Sequence, residues 1–84
     1  MGKYQQLLLT ILRGTADANI GFNDLCQLLY RLGFEERTRG SHHLFRKNGV
    51  EEVLNLQRDG SKAKPYQVRQ VRTVLVRYKL EVED

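Results

Sequence analysis

The sequence predicts an α+β domain: two helices, a three-stranded antiparallel sheet and a closing helix. Three observations predict it. Apolar residues recur at helical spacing up to Leu32, give way to short β-type runs from Phe34, and return to helical spacing after Pro65. Turn signals, Gly40-Ser41 and Asn48-Gly49, separate the β-type runs. Eighty-four residues, 40% hydrophobic and 29% charged, are enough for one core and too few for two. Without its first helix the order is αβββα, with helices on one sheet face and the other face free.

Each element has a local reason. Tyr4, Leu8, Ile11 and Leu12 share one helical stripe, so a helix is expected over 3–13, stopped by Gly14. Residues 15–21 (TADANIG) are small and polar, a connector. Phe22-Asn23-Asp24 opens the second helix, with Asn23 placed to cap it. Leu25, Leu28, Leu29 and Leu32 form its stripe, and Gly33 ends it so that Phe34 folds back on Leu29. Cys26 is expected here as a small buried hydrophobe.

FEERTR, HHLFRK and VEEVLNLQ then read as strands, the last two joined by Asn48-Gly49 as a tight hairpin. Leu54 and Leu56 alternate with Asn55 and Gln57, giving one buried and one wet face. Residues 58–64 read as a loop. Pro65 suits a first helical turn, where its missing N–H is not needed. Val68, Val71, Leu75 and Tyr78 set the stripe of a helix reaching residue 80, with Arg69, Arg72 and Lys79 mainly off it. The chain thus divides into a helical extension over 1–21, a main domain over 22–80, and an acidic tail over 81–84 expected to fray.

Composition narrows the function. One cysteine excludes an internal disulfide framework and a Cys-based zinc site, and suits a reducing cytoplasm. The longest apolar run, Leu7-Leu8-Leu9, is too short for a membrane span, and the first residues lack the pattern of a secretion signal. Net charge is +4, and its distribution says more. Lys62, Lys64, Arg69, Arg72, Arg77 and Lys79 lie in one acid-free stretch, and Arg37, Arg39, Arg46 and Lys47 in another. Two such clusters on a small domain suggest a nucleic-acid partner. Simple solvation of a helix accounts for Lys62, Lys64, Arg69 and Arg72 about equally well.

The site-like segment is Gly40-Ser41-His42-His43-Leu44-Phe45. Adjacent strand residues point to opposite faces, so the two histidines cannot serve one site, which argues against a bound metal. His43 shares parity with Phe45 and is expected to pack inward. His42 then lies on the freer face with Arg46.

GSHHLF, after a helix ending in LGF and before a hairpin and a Pro-led basic helix, resembles the HicA-type toxins. These are the small ribonuclease partners of bacterial toxin–antitoxin pairs. The resemblance covers roughly residues 22–80. It implies a fold like a double-stranded-RNA-binding domain, cleavage of mRNA, and a cognate HicB-type antitoxin. The histidine after Gly-Ser is catalytic in that family, which maps the role onto His42. Other members often carry Pro-x-His after the third strand. Here the stretch reads Leu56-Gln57-Arg58-Asp59, so that second histidine has no carrier.

The chemistry asked of His42 is reasonable. RNA supplies its own nucleophile, the 2′-hydroxyl, and an imidazole with an ordinary pKa of about 6.5 is suited to moving its proton. Arg39 and Arg46 are the first candidates to steady the phosphate and Lys62 and Lys64 the second; Arg69 and Arg72 on the basic helix are candidates for RNA or antitoxin contact. No metal or other cofactor is called for. Gly40 and Ser41 are expected to shape the turn, Ser41 not serving as a nucleophile because no Ser–His–acid arrangement is readable. Two other classes stay open: the same fold binding RNA without cutting it, and a DNA-binding helix pair over 3–32, weakened because Arg31 is the second helix's sole cation.

Overall fold

A computed structural model describes residues 2–82. Helix α1 spans Lys3–Arg13 and α2 spans Phe22–Arg31, with a single 3-10 turn, Asp17–Asn19, between them. Strands β1 (Glu35–Arg39), β2 (His42–Arg46) and β3 (Leu54–Leu56) form an antiparallel sheet in the order β1-β2-β3. A second, two-stranded ribbon follows, β4 (Arg58–Asp59) with β5 (Lys62–Ala63), and α3 (Pro65–Arg77) closes the fold. The α+β class, the three antiparallel strands, the flanking helices and the N-terminal helix are those expected from the sequence.

One core holds the elements together. Phe22, Leu25, Leu28 and Leu29 of α2, Phe45 of β2, Leu56 of β3, and Val68 and Val71 of α3 are all essentially inaccessible to water. Leu8 and Ile11 of α1 join the same cluster, so the N-terminal helix is part of the core. Each such side chain contributes about 1.5–3 kcal/mol by leaving water. Cys26 is buried among them, and burial, aided by the Glu36 carboxylate, pushes its thiol up to about 11.

The α2 terminus follows the expected logic. Gly33 takes φ +93°, Phe34 N–H donates to Leu29 C=O at 3.0 Å and Gly33 N–H to Tyr30 C=O at 3.0 Å. This paired closure turns the chain from helix into β1 and buries Phe34.

Several local expectations are corrected. Asn23 does not cap α2: Gly21 occupies the cap position, and Asn23 Oδ1 accepts from Arg58 Nη2 at 2.6 Å. Asn48-Gly49 does form a turn, Val50 N–H donating to Lys47 C=O at 3.1 Å, but it does not join β2 to β3 as a tight hairpin. Residues 47–53 instead bulge toward the end of α3. There the Glu52 carboxylate accepts from Tyr78 OH at 2.5 Å and Arg77 Nη1 at 2.8 Å, and Glu51 N–H donates to Tyr78 OH at 3.2 Å. Those contacts outbid ladder pairing, and β3 begins only at Leu54.

The segment read as a loop over 58–64 contains the β4–β5 ribbon, tied to the start of α2 by Phe22 N–H to Ser61 C=O and Ala63 N–H to Ile20 C=O, each 2.9 Å. Helix α3 stops at Arg77, short of residue 80. Of the tail, Val82 is buried in the core, and residues 83–84 lie outside the described residues.

Candidate active site

The site grows from the β1–β2 turn. Arg39 and His42 are Cα partners, so Gly40-Ser41 is a two-residue hairpin connection. Gly40 takes φ +59° at the first turn position, where glycine meets no steric cost. His42 therefore begins β2 at the sheet's end. The pleat sends His42, Leu44 and Arg46 to the outer face with Arg37 and Arg39 of β1 and Asn55 of β3. His43 and Phe45 point inward, the division expected from parity.

His42 is exposed, and its ring is held by amides. Nδ1 lies 3.1 Å from Asn55 Oδ1, and Nε2 lies 3.4 Å from Gln57 Nε2. An amide oxygen only accepts and an amide nitrogen only donates. The neutral ring thus carries its proton on Nδ1 and presents a lone pair at Nε2. Gln57 is the hub of what surrounds it. Its Nε2 also donates to Ser41 Oγ at 3.3 Å, and its Oε1 accepts from Lys64 Nζ at 3.2 Å.

Gln57 follows the last ladder pair, His43 with Leu56, and so sits where a further pair would face His42. Its N–H leaves the sheet and donates to Gln67 Oε1 at 2.9 Å. Gln67 is 2% exposed, the one buried polar side chain among the described residues, and its own Nε2 donates to Tyr66 OH at 3.4 Å. Helix α3 thereby fixes the strand end that orients His42.

The basic residues separate into groups. Arg39 faces His42 across the turn, and Arg46 lies at the far end of the same outer face. Lys64 joins the histidine through Gln57. Lys62 on β5 and Arg69 on α3 are exposed, and like Arg39 and Arg46 they form no ion pair among the described residues. Arg72 is different. Its guanidinium turns into the protein, donating to Asp17 Oδ1 at 2.9 Å, Asp17 Oδ2 at 3.0 Å and Ile11 C=O at 3.0 Å. That contact holds the Asp17 carboxyl below the usual aspartate range and raises the guanidinium further.

His43 has other company. Its Nδ1 lies 2.5 Å from Glu36 Oε2, its ring meets Phe22 edge-on with centroids 4.9 Å apart, and Tyr30 OH donates to the other Glu36 oxygen. Burial pushes the Glu36 carboxyl up, but the Tyr30 hydroxyl and His43 outweigh it and leave the group below its ordinary value. The same hydrogen bond, with burial, pushes the Tyr30 phenol up to about 12. Neither group reaches the outer face.

Asn55, Gln57 and Gln67 are site residues that the sequence does not single out. Asn55 was legible only as a wet-face strand residue. Gln67 carried a usable signal: it shares a helical stripe with Val71 and Val74, and a polar residue on an apolar stripe needs a buried partner. Among the described residues, no three His, Cys, Asp or Glu side chains gather as a metal would require.

No curated protein and no solved structure matches the chain. A family model described as the HicA toxin of bacterial toxin–antitoxin systems matches residues 22–77. The match runs from the first residue of α2 to the last of α3, about two-thirds of the chain, and takes in the hairpin turn, His42, Gln57 and Gln67. It leaves α1 outside, although α1 shares the core. The chain belongs to the HicA toxin family, and a cognate antitoxin goes with that membership.

Proposed function

We propose that the protein is a metal-independent endoribonuclease acting on mRNA in the cytoplasm, with His42 as its general acid–base group. The observation that carries the reading is the His42 ring itself: exposed, anchored through Nδ1–H on Asn55, with Nε2 facing Gln57, which Lys64 also contacts, and with Arg39 its ladder partner. Nε2 accepts the proton of a substrate 2′-hydroxyl. The 2′-oxygen bonds to the neighbouring phosphorus, the bond from phosphorus to the 5′-oxygen breaks, and the imidazolium is the acid at hand for that leaving oxygen. The products are a 2′,3′-cyclic phosphate and a 5′-hydroxyl, so no outside nucleophile is consumed.

Proton transfer of this kind contributes about 10²–10⁴ in rate. Lys64 and Arg39 offset the charge that builds on the phosphate oxygens, and each well-placed donor there contributes about 10²–10³. Gln57 Nε2–H, released from His42 when substrate takes its place, becomes a further donor. Arg72 is left out of this set because Asp17 and Ile11 already occupy its guanidinium.

The test is direct. Purified protein should cut RNA with or without chelator, and should fail on RNA whose 2′-hydroxyls are methylated. His42→Ala should abolish cutting and growth arrest while RNA affinity and the folded far-UV spectrum persist, which separates a cutter from a mere binder. Co-expression of the cognate antitoxin should restore growth. A His42→Ala variant as toxic as the parent would reject the assignment.

A further inference from the structure

We propose that the outer face of the three-stranded sheet is a track for the single RNA strand flanking the scissile bond, with Arg37, Arg39 and Arg46 as its phosphate contacts. The track rests on the reading of His42 as the cleaving group, which sets the end at which it starts. Its cations are an independent observation.

The pleat puts Arg37, Arg39, Leu44 and Arg46 on one surface with His42, and no helix covers it. Arg37 faces Leu44 across the ladder, and Arg46 faces Glu35, the single acid of the patch. None of the three arginines forms an ion pair among the described residues, Arg46 and Glu35 included. Three arginines elsewhere are engaged: Arg72 on Asp17, Arg77 on Glu52, and Arg58 on Asn23 and the Phe22 ring. The row on this face is instead open to water beside the exposed histidine, three unpaired guanidiniums on one surface.

Spacing supports a strand over a duplex. Residues two apart in a strand are separated by about 7 Å, and four apart by about 13 Å. The row from His42 and Arg39 through Arg37 to Arg46 therefore extends about 13 Å, enough for two or three successive phosphates of one extended chain. The surface is a shallow open groove lined by Glu35, Arg37, Thr38, Arg39, Leu44 and Arg46. Arginine forks match phosphate oxygens two at a time. Leu44, half-buried at the centre, gives a sugar or base an apolar floor.

The test uses the full chain carrying His42→Ala, so that binding is read without cutting, and a fluorescent single-stranded RNA of mixed sequence. Log affinity is followed against log salt. Replacing Arg37 and Arg46 by glutamine removes two phosphate contacts, which lowers the slope by about 1.4 and the affinity about 25-fold at 0.1 M salt. A control pair on the helical layer, Arg13→Gln with Lys79→Gln, removes the same charge and should leave the slope unchanged. With His42 restored, the Arg37/Arg46 pair should raise KM on long RNA by a larger factor than on a dinucleotide, which is too short to reach the far end of the row.

An unchanged slope in the Arg37/Arg46 variant overturns the track, as does an equal loss in the control pair, which would make the effect one of net charge. Loss of antitoxin binding with RNA binding intact also overturns it, because the face would then belong to a protein. Failure of His42 to cut leaves the binding arm readable, so the two readings fail separately.

Discussion

Replacing Arg72 by methionine keeps the aliphatic stem and removes the guanidinium from Asp17 and Ile11. Fully exposed ion pairs contribute about 0.2–1 kcal/mol, and this one is not of that kind. The Arg72 and Asp17 side chains are 22% and 16% exposed, the contact is bidentate, and a third bond reaches the last turn of α1. Hydrogen bonds to charged groups are worth about 1.5–3 kcal/mol, and removal of one partner strands the other charge. The expected loss is about 2–3 kcal/mol, or roughly 10–20 °C in Tm for a domain of this size.

Urea melts followed by circular dichroism measure that loss, and Asp17→Asn in the same background isolates the pairwise part. Because Asp17 titrates below its ordinary value in the folded chain, the pair stabilises fully above the unfolded carboxyl's pKa. That contribution fades as pH falls through the lowered native value. The gap between parent and Arg72→Met should therefore narrow in acid. A loss below about 0.5 kcal/mol, the level of an ordinary surface substitution, would refute the reasoning. So would a variant of full stability with weakened RNA binding.

Lys79 takes φ +52°, alone among the described non-glycine residues in being left-handed, while Leu80 N–H closes on Leu75 C=O at 3.1 Å. Lys79→Gly should raise stability by about 0.5–1 kcal/mol in urea melts, relief of the left-handed strain exceeding the added freedom of the unfolded chain. His43→Ala should cost about 1–3 kcal/mol, because it strands the Glu36 carboxylate, yet spare RNA cleavage assayed well below the melting temperature. Tyr30→Phe removes the phenol that titrates near 12. With its native pKa raised, that phenol stabilises fully below the ordinary tyrosine value and loses its contribution as pH climbs toward 12. Alkaline melts should thus show parent and variant converging above about pH 10.

What the sequence made legible was whatever local pattern decides. The α1 stripe and Gly14 marked that helix to the residue. Gly33-Phe34 announced its own closure, and strand parity alone sorted His42 from His43. What stayed illegible was set by distant partners. Asn48-Gly49 carries the strongest short-range hairpin signal, but Glu51 and Glu52 reach Tyr78 and Arg77 some 26 residues away, and those contacts draw the loop off the ladder. Asn23 lost its capping role to Arg58 for the same reason. The β4–β5 ribbon is two pairs long and offers too few apolar positions to show a period. Arg72 looked like any cation of a basic helix until Asp17, 55 positions earlier, was folded against it.

The two histidines show what the pleat does with adjacent residues of one type. Both rings place Nδ1 against an oxygen, yet the oxygens differ in charge and surroundings. The partner of His43 is a carboxylate already gripped by Tyr30, and Phe22 packs edge-on against the ring, so three neighbours fix its position. A ring so held serves to pin β1 and β2 to α2. The partner of His42 is a neutral amide at the surface, which orients the ring and leaves its far nitrogen to water, Gln57 and whatever binds. Orientation without a fixed charge is what a proton-transfer group requires, since it must gain a proton and give it up again. A one-residue slip of β2 would exchange the two rings and destroy both arrangements, placing Phe45 in water and His42 in the core. The two-residue turn at Gly40-Ser41 and the buried Gln67 clamp on Gln57 both fix the His42 end of β2, the first from β1 and the second from β3. Chemistry on the outer face and packing beneath it thus depend on the same register.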